Sequence, residues 1–168
     1  MKIISHRGNL NGPNQETENT VDAIEKALQS GFCVEFDIWY FANRFWLGHD
    51  SPESVFSIDT LVRWSNMYSD KNLYVHCKNI WALEEMTKLQ KSNIIPFFHD
   101  VDQCILLRDN IIWVHPKAIY GVDELGRSKC IAVVSKCKTA KYDFDLDISF
   151  ETWYGICTDY PIDVRNSL

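Results

Sequence analysis

Cys33-Val34-Glu35-Phe36-Asp37-Ile38-Trp39-Tyr40-Phe41 is the stretch on which the fold turns. Branched and aromatic residues dominate it, which predicts a strand. Residues two apart on a strand share a face, so Glu35 and Asp37 point together while Val34, Phe36 and Ile38 point the other way. Two carboxylates on an inner face are costly unless positive charge sits between them. A hard divalent cation such as Mg²⁺ or Ca²⁺ would meet that need. The alternative is a pair of carboxylates facing Arg7 or Lys78 as ion pairs.

Working outward, apolar runs alternate with helical patterns. Ile3 to Ser5 stops at His6-Arg7-Gly8, and a polar loop follows from Asn9 to Glu16. Asn19 or Thr20 can cap a helix whose Val21, Ile24, Ala27 and Leu28 share a face, with Gly31 at its end. Phe45 to Leu47 runs into Gly48-His49-Asp50, and Ile58 to Tyr68 reads as a helix. Leu73 to Val75 ends at His76-Cys77-Lys78-Asn79, and Ile80 to Leu89 forms a helix that Asn79 can cap. Ile94 to Phe98, Ile111 to Val114, Ile131 to Val134 and Gly155 to Cys157 complete the strands. Strands alternating with helices predict parallel βαβ units. The expected fold is α/β, a reduced (β/α)8 TIM barrel over one domain, residues 1–168. At 168 residues, short of the ~250 usual for such barrels, its helices would be shortened or missing in the second half. Ala118 to Lys129 and Thr139 to Trp153 leave little room for them. An open doubly wound sheet is the alternative.

Composition narrows the class. With 46% hydrophobic and 24% charged residues the chain can bury a core, which excludes disorder. No apolar run reaches the roughly 18 residues that cross a bilayer. The net charge of −6 argues against nucleic acid, because phosphate-backbone binding needs a basic surface. The sequence goes from Met1-Lys2 directly into an apolar strand, so no signal peptide and a cytoplasmic location are expected. The six cysteines make no Cys-x-x-Cys pair and are expected as reduced, buried thiols, with a Cys130–Cys137 disulfide as the lesser alternative. Of the six tryptophans, Trp39 and Trp113 fall near the expected mouth, and the others are expected in packing.

All five histidines, His6, His49, His76, His99 and His115, end an apolar run. In α/β barrels and open sheets the active site sits at that end of the strands, so the pattern predicts a catalytic or metal-binding cluster. His76 and Lys78 repeat the two-apart spacing and should face the same cavity. An inward lysine must be paired or bind an anion such as phosphate. His6-Arg7 sets a proton-transfer group beside a guanidinium.

His6-Arg7-Gly8, Glu18-Asn19-Thr20, Glu35-x-Asp37, His49-Asp50 and the terminal Gly155-Ile156-Cys157-Thr158-Asp159-Tyr160-Pro161 together resemble the glycerophosphodiester phosphodiesterases. These are TIM barrels of the phosphatidylinositol-phospholipase-C-like phosphodiesterase superfamily. The likeness is dense over residues 3–50, thin in the middle and clear at 155–161, and it points to a short phage and environmental branch. The resemblance implies that His6 and His49 are catalytic, that Arg7 binds phosphate with Lys78 beside it, and that Glu18 positions Arg7. It also implies that Glu35 and Asp37 bind a metal, Mg²⁺ or Ca²⁺. The family's third ligand is a glutamate two residues before the lysine, a position that holds His76 here. Imidazole lowers the negative charge and makes Mn²⁺, Fe²⁺ or Zn²⁺ more competitive. The third ligand could instead come from His99 or Asp100.

The implied activity is metal-dependent hydrolysis of a small glycerophosphodiester-like substrate by histidine acid/base catalysis. The rival from another class is a catalytically inactive phosphate- and metal-binding barrel module. Retention of His6, His49 and Arg7 argues against that rival, since a pure binder needs no pair of proton-transfer groups. An amidohydrolase-type site ranks lower, because Ser5-His6-Arg7 stands where that class carries His-x-His.

Overall fold

The computed structural model describes residues 1–134, 142–143 and 148–168. In chain order the elements begin β1 (Lys2–His6), α1 (Val21–Gln29), β2 (Cys33–Phe41), β3 (Arg44–Leu47), β4 (Ser54–Phe56), α2 (Ile58–Met67), β5 (Leu73–Cys77), α3 (Ile80–Thr87) and β6 (Ile94–Phe97). They continue β7 (Cys104–Leu106), β8 (Ile112–Val114), the one-turn α4 (Glu124–Arg127), β9 (Cys130–Val134), β10 (Tyr142–Asp143), β11 (Ile148–Ser149), β12 (Gly155–Thr158) and α5 (Pro161–Ser167). Stretches of 3₁₀ helix at Arg108–Asn110 and Pro116–Gly121 flank β8.

The strands do not make a (β/α)8 barrel. Seven parallel strands run in the order β6-β5-β2-β1-β12-β9-β8. Antiparallel pairings add β3 and β4 beyond β2, and β7 beyond β8. The result is one mixed ten-stranded sheet, with β10 and β11 as a separate two-stranded pair. Among the described residues no pairing joins β6 to β7 or β8, so the sheet is a curled half-barrel open at that seam. The reason is the supply of chain. Among the described residues, substantial connecting helices stand only in the β1–β2, β2–β5 and β5–β6 connections. Between β6 and β8 the chain spends its residues on β7 and a 3₁₀ turn, and before β9 it has only a further 3₁₀ stretch and α4. A strand–helix unit repeated eight times cannot be built from that allotment. Residues 139–141 and 144–147 of the expected helix-poor stretch, and Cys137, lie outside the described residues.

The two faces of β2 organise what does form. Val34, Phe36 and Ile38 face outward and are fully buried with Ile24, Ala27 and Leu28 of α1, Leu61 and Trp64 of α2, and Ala82 and Met86 of α3. Phe36 meets Phe56 and Trp64 edge-on, with centroids 6.0 and 6.4 Å away. The caps are those the local sequence offers: Thr20, Ser57 and Asn79 each accept a backbone N–H at a helix start. A second layer fills the curl with at least one residue from each of the seven parallel strands, including Ile4, Cys33, Tyr74, Ile95, Trp113, Ile131 and Cys157. Phe97 of β6 and Trp113 of β8 approach to 5.0 Å between centroids, so side chains bridge the seam that hydrogen bonds leave open. Cys33, Cys77, Cys130 and Cys157 are buried thiols, while Cys104 is exposed. No helix among the described residues is long and apolar enough to cross a membrane.

Gly8 turns the chain out of β1 with φ +78°, and a Cβ there would lie 2.8 Å from the Ala23 carbonyl carbon and the Ile24 nitrogen. Substitution therefore meets both the left-handed penalty and helix backbone that cannot yield. Gly8→Ala is expected to lower unfolding free energy by at least about 1–2 kcal/mol, read as a lower urea midpoint at unchanged slope.

Candidate active site

Each cluster residue arrives through strand alternation. His6 ends β1, Glu35 and Asp37 face inward from β2, and His76 sits on β5 directly beside Asp37 in the parallel register. His99 follows Phe97 by two residues, and His115 follows β8. His49 comes by another route than expected, because β3 is antiparallel to β2 and pairs Leu47 with Ile38. The hairpin thus folds His49 back over the carboxylates. Trp39 helps fix that return by donating its indole N–H to the Gly48 carbonyl at 2.8 Å. Gly48 has φ +143°, and a Cβ there would run into the Ser51 carbonyl oxygen. All five histidines line one cavity of about 230 Å³.

Glu35 and Asp37 are 2% and 1% exposed, so their charge must be met by protein or bound ligand. Asp37 is the better met. Asn19 donates its amide to Oδ2 at 2.9 Å and accepts the Asp37 backbone N–H, also at 2.9 Å. Lys78 Nζ lies 3.5 Å from Oδ1 and Arg7 Nε 3.3 Å from Oδ2. Burial alone would raise the Asp37 pKa, but His76, Lys78 and Arg7 hold it well below the usual carboxylate range. Glu35 receives only a long bond from the Arg7 amide, 3.3 Å, with His6 and His76 nitrogens at 3.8 and 3.9 Å. Burial and the neighbouring Asp37 charge push its pKa up.

The outer residues are held in turn. His6 Nδ1 pairs with Asp159 Oδ1 at 2.8 Å, and Asn9 donates to the same oxygen. Burial opposes charge on His6, but the Asp159 bond and the charges of Glu35 and Asp159 outweigh it and raise its pKa. Arg7 donates Nη1 to Glu18 at 2.8 Å, and Asn9 bonds the other Glu18 oxygen. His49 Nδ1 lies 2.7 Å from Asp50 and is the more open imidazole, its pKa lowered by burial with Arg7 and Lys78 adding to the effect. The His76 ring lies parallel to those of His99 and Phe97, at 4.4 and 5.0 Å between centroids. Burial, with positive charge at His76 and Lys78, pushes His99 down to about 4. A second cleft of about 380 Å³, lined by Gln15, Glu18, Asn19, Asp50 and Glu53, shares Arg7 and His49 with the first cavity.

The donor set suits a divalent cation. Glu35, Asp37 and His76 each offer a ligand atom, all within 4.8 Å of one another. Ligands on opposite sides of a Ca²⁺ ion stand about 5 Å apart, so this is a single-ion spread. Asp37 Oδ1 is buried without an aligned hydrogen bond, although His76 Nδ1 lies only 2.8 Å away. Four carboxylates (Glu18, Glu35, Asp37 and Asp159) face two permanent cations, Arg7 and Lys78. The ion pairs of Asp37 with Arg7 and Lys78 are therefore present, while Glu35 is approached by the Arg7 amide at 3.3 Å and by the His6 and His76 nitrogens at 3.8 and 3.9 Å.

The structure brings His6, Arg7, Glu18, Glu35, Asp37, His49 and His76 to two adjoining cavities; Lys78 lies 3.5 Å from Asp37 but is not among the residues lining either. Three partners had no site role assigned from sequence: Asp159, Asn9 and Asn19, the last read only as a candidate helix cap, a place that Thr20 takes. Asp159 offered a faint signal, a polar residue directly after the last strand. Asn9 and Asn19 offered none, since their bonds close across loops. Compared with known proteins, the sequence matches no family model and no curated protein.

Addition of Mn²⁺ to metal-stripped protein should raise Tm, as a ligand of the native state must. Asp37→Asn and His76→Ala should each abolish the shift, measured against that variant's own metal-free Tm.

Proposed function

We propose that this protein is a metal-dependent phosphodiester hydrolase acting on a small glycerophosphodiester-like substrate. The observation that carries the proposal is the convergence on one cavity of two separately oriented imidazoles, His6 and His49, with a guanidinium and a buried Glu35–Asp37–His76 trio. A binding site for phosphate alone needs cations. It does not need two imidazoles whose Nδ1 atoms are each engaged by a carboxylate, which leaves both Nε2 atoms for proton traffic.

In this reading Arg7, braced by Glu18, and Lys78 hold the phosphoryl oxygens and offset charge as it builds in the transition state. A divalent ion bound by Glu35, Asp37 and His76 would add Lewis-acid polarisation of the phosphoryl group. One of His6 and His49 takes the proton from the attacking hydroxyl, and the other protonates the departing oxygen. Asp159 orients His6 and stabilises its protonated form, whereas His49, with the exposed Asp50 carboxylate 2.7 Å from its Nδ1, has its pKa lowered by burial. Arg7 stays fully charged, because the nearby Asp37 and Glu18 overcome the cost of its burial.

The test is turnover of a chromogenic diester and a glycerophosphodiester panel by metal-stripped protein resupplied with Mg²⁺, Ca²⁺, Mn²⁺ or Zn²⁺. Metal-restored activity should fall about 10²- to 10⁴-fold in His6→Ala and in His49→Ala, the usual worth of a positioned acid or base. Folded protein with no turnover under any of the four metals overturns the proposal.

A further inference from the structure

Asn9 stands between the two supports on which the proposed chemistry depends. Glu18 braces Arg7 through Oε1, with Arg7 Nη1 2.8 Å away. Asp159 orients His6 through Oδ1, 2.8 Å from Nδ1. A single nitrogen, Asn9 Nδ2, lies 3.1 Å from the other Glu18 oxygen and 2.8 Å from that same Asp159 oxygen. Ionised carboxylates are acceptors only, so the amide gives one N–H to each. A continuous chain of hydrogen bonds therefore runs from the guanidinium to the imidazole, through Glu18, Asn9 and Asp159 in turn.

Asn9 is itself held fast, at 5% exposure. Its backbone N–H donates to the His6 carbonyl at 2.9 Å, and its carbonyl accepts the hydroxyl of the fully buried Ser5 at 2.7 Å. The end of β12 grips the same loop, because the Gly12 N–H donates to the Asp159 carbonyl at 2.8 Å. The residue type matters as much as the place. A lysine or arginine here would compete with Arg7 for Glu18 and with His6 for Asp159. A neutral amide brings two N–H groups and no charge, so each carboxylate keeps its full charge for its own cation. The amide is also planar and rigid, so one carboxylate cannot shift without turning it against the other.

We propose that Asn9 is a positioning residue that couples the phosphate clamp to the proton-transfer histidine. Phosphate that draws Arg7 into line moves Glu18 with it. The amide passes that movement to Asp159, which sets the direction of the His6 ring and of its Nε2. Asn9 makes no contact with the reacting atoms and acts only through Arg7 and His6. Its catalytic consequence rests on the phosphodiesterase reading, whereas the coupling itself rests on the hydrogen bonds alone.

Two-bond ¹H–¹⁵N NMR of the metal-stripped full chain reads the His6 ring nitrogens without any need for turnover. Glu18→Gln, three hydrogen bonds away, should shift them at constant pH. The same change in an Asn9→Leu background should leave them in place. In the diester assay Asn9→Leu, similar in size but without an amide, should raise KM and lower kcat together. The expected loss in kcat/KM is about 10- to 100-fold, the worth of hydrogen bonds to charged groups. With Asn9 present, Glu18→Gln and Asp159→Asn should combine to at least about twofold less than the product of their separate losses. His6 nitrogens that ignore Glu18→Gln overturn the coupling, whether or not Asn9→Leu folds. Nitrogens that still move in folded Asn9→Leu also overturn it, since the effect then travels through Arg7 alone. Unchanged kcat and KM in folded Asn9→Leu, or losses that simply multiply, count against it equally. A wild-type protein without turnover, whose His6 nitrogens answer Glu18→Gln only when Asn9 is present, removes the phosphodiesterase reading and upholds the coupling.

Discussion

Two carboxylates buried side by side on the inward face of β2 constrain almost everything around them. Neither Glu35 nor Asp37 can reach water, so each neighbouring segment is placed to answer their charge. β1 ends so that the Arg7 backbone and guanidinium both turn toward them. The loop before α1 delivers Asn19, whose amide meets Asp37 at backbone and side chain together. β5 lies in the register that sets His76 beside Asp37, and Lys78 follows one pleat later. The compensation is incomplete at Glu35 and at Asp37 Oδ1. That remainder leaves the Glu35–Asp37–His76 group able to hold a cation.

The same economy explains the architecture. A closed barrel would need strands and helices that the described residues do not supply after β6. The sheet instead curls until inner side chains meet, with Phe97 and Trp113 touching across the seam. A shared cavity at the carboxyl ends of the parallel strands survives this reduction, because β1, β2, β5, β6 and β8 still deliver their last inward residues to one space.

Much of the site was legible in sequence because strand alternation is local. The spacing of Glu35 and Asp37, and of His76 and Lys78, sufficed to predict that each pair shares a face. The five histidines at the ends of apolar runs pointed to the same cavity. The overall fold was less legible. Short apolar runs do not declare their direction, so β3 passed for a member of a parallel array, β7 was not anticipated as a strand, and the open seam could not be seen from either side of it. His49 reached the cavity for a different reason than expected, through a hairpin that reverses the chain. The His6–Asp159 bond joins residues 153 positions apart. It depends on β1 lying beside β12, a pairing that no local pattern encodes.

Electron paramagnetic resonance of Mn²⁺ added to the metal-stripped protein tests the centre of this account most directly. A single bound Mn²⁺ per chain, with a nitrogen hyperfine coupling that disappears in His76→Ala, is the predicted result. Spectra of free aqueous Mn²⁺ at stoichiometric addition would contradict it, and would mean that the buried carboxylates are satisfied by Arg7, Lys78 and the histidines alone.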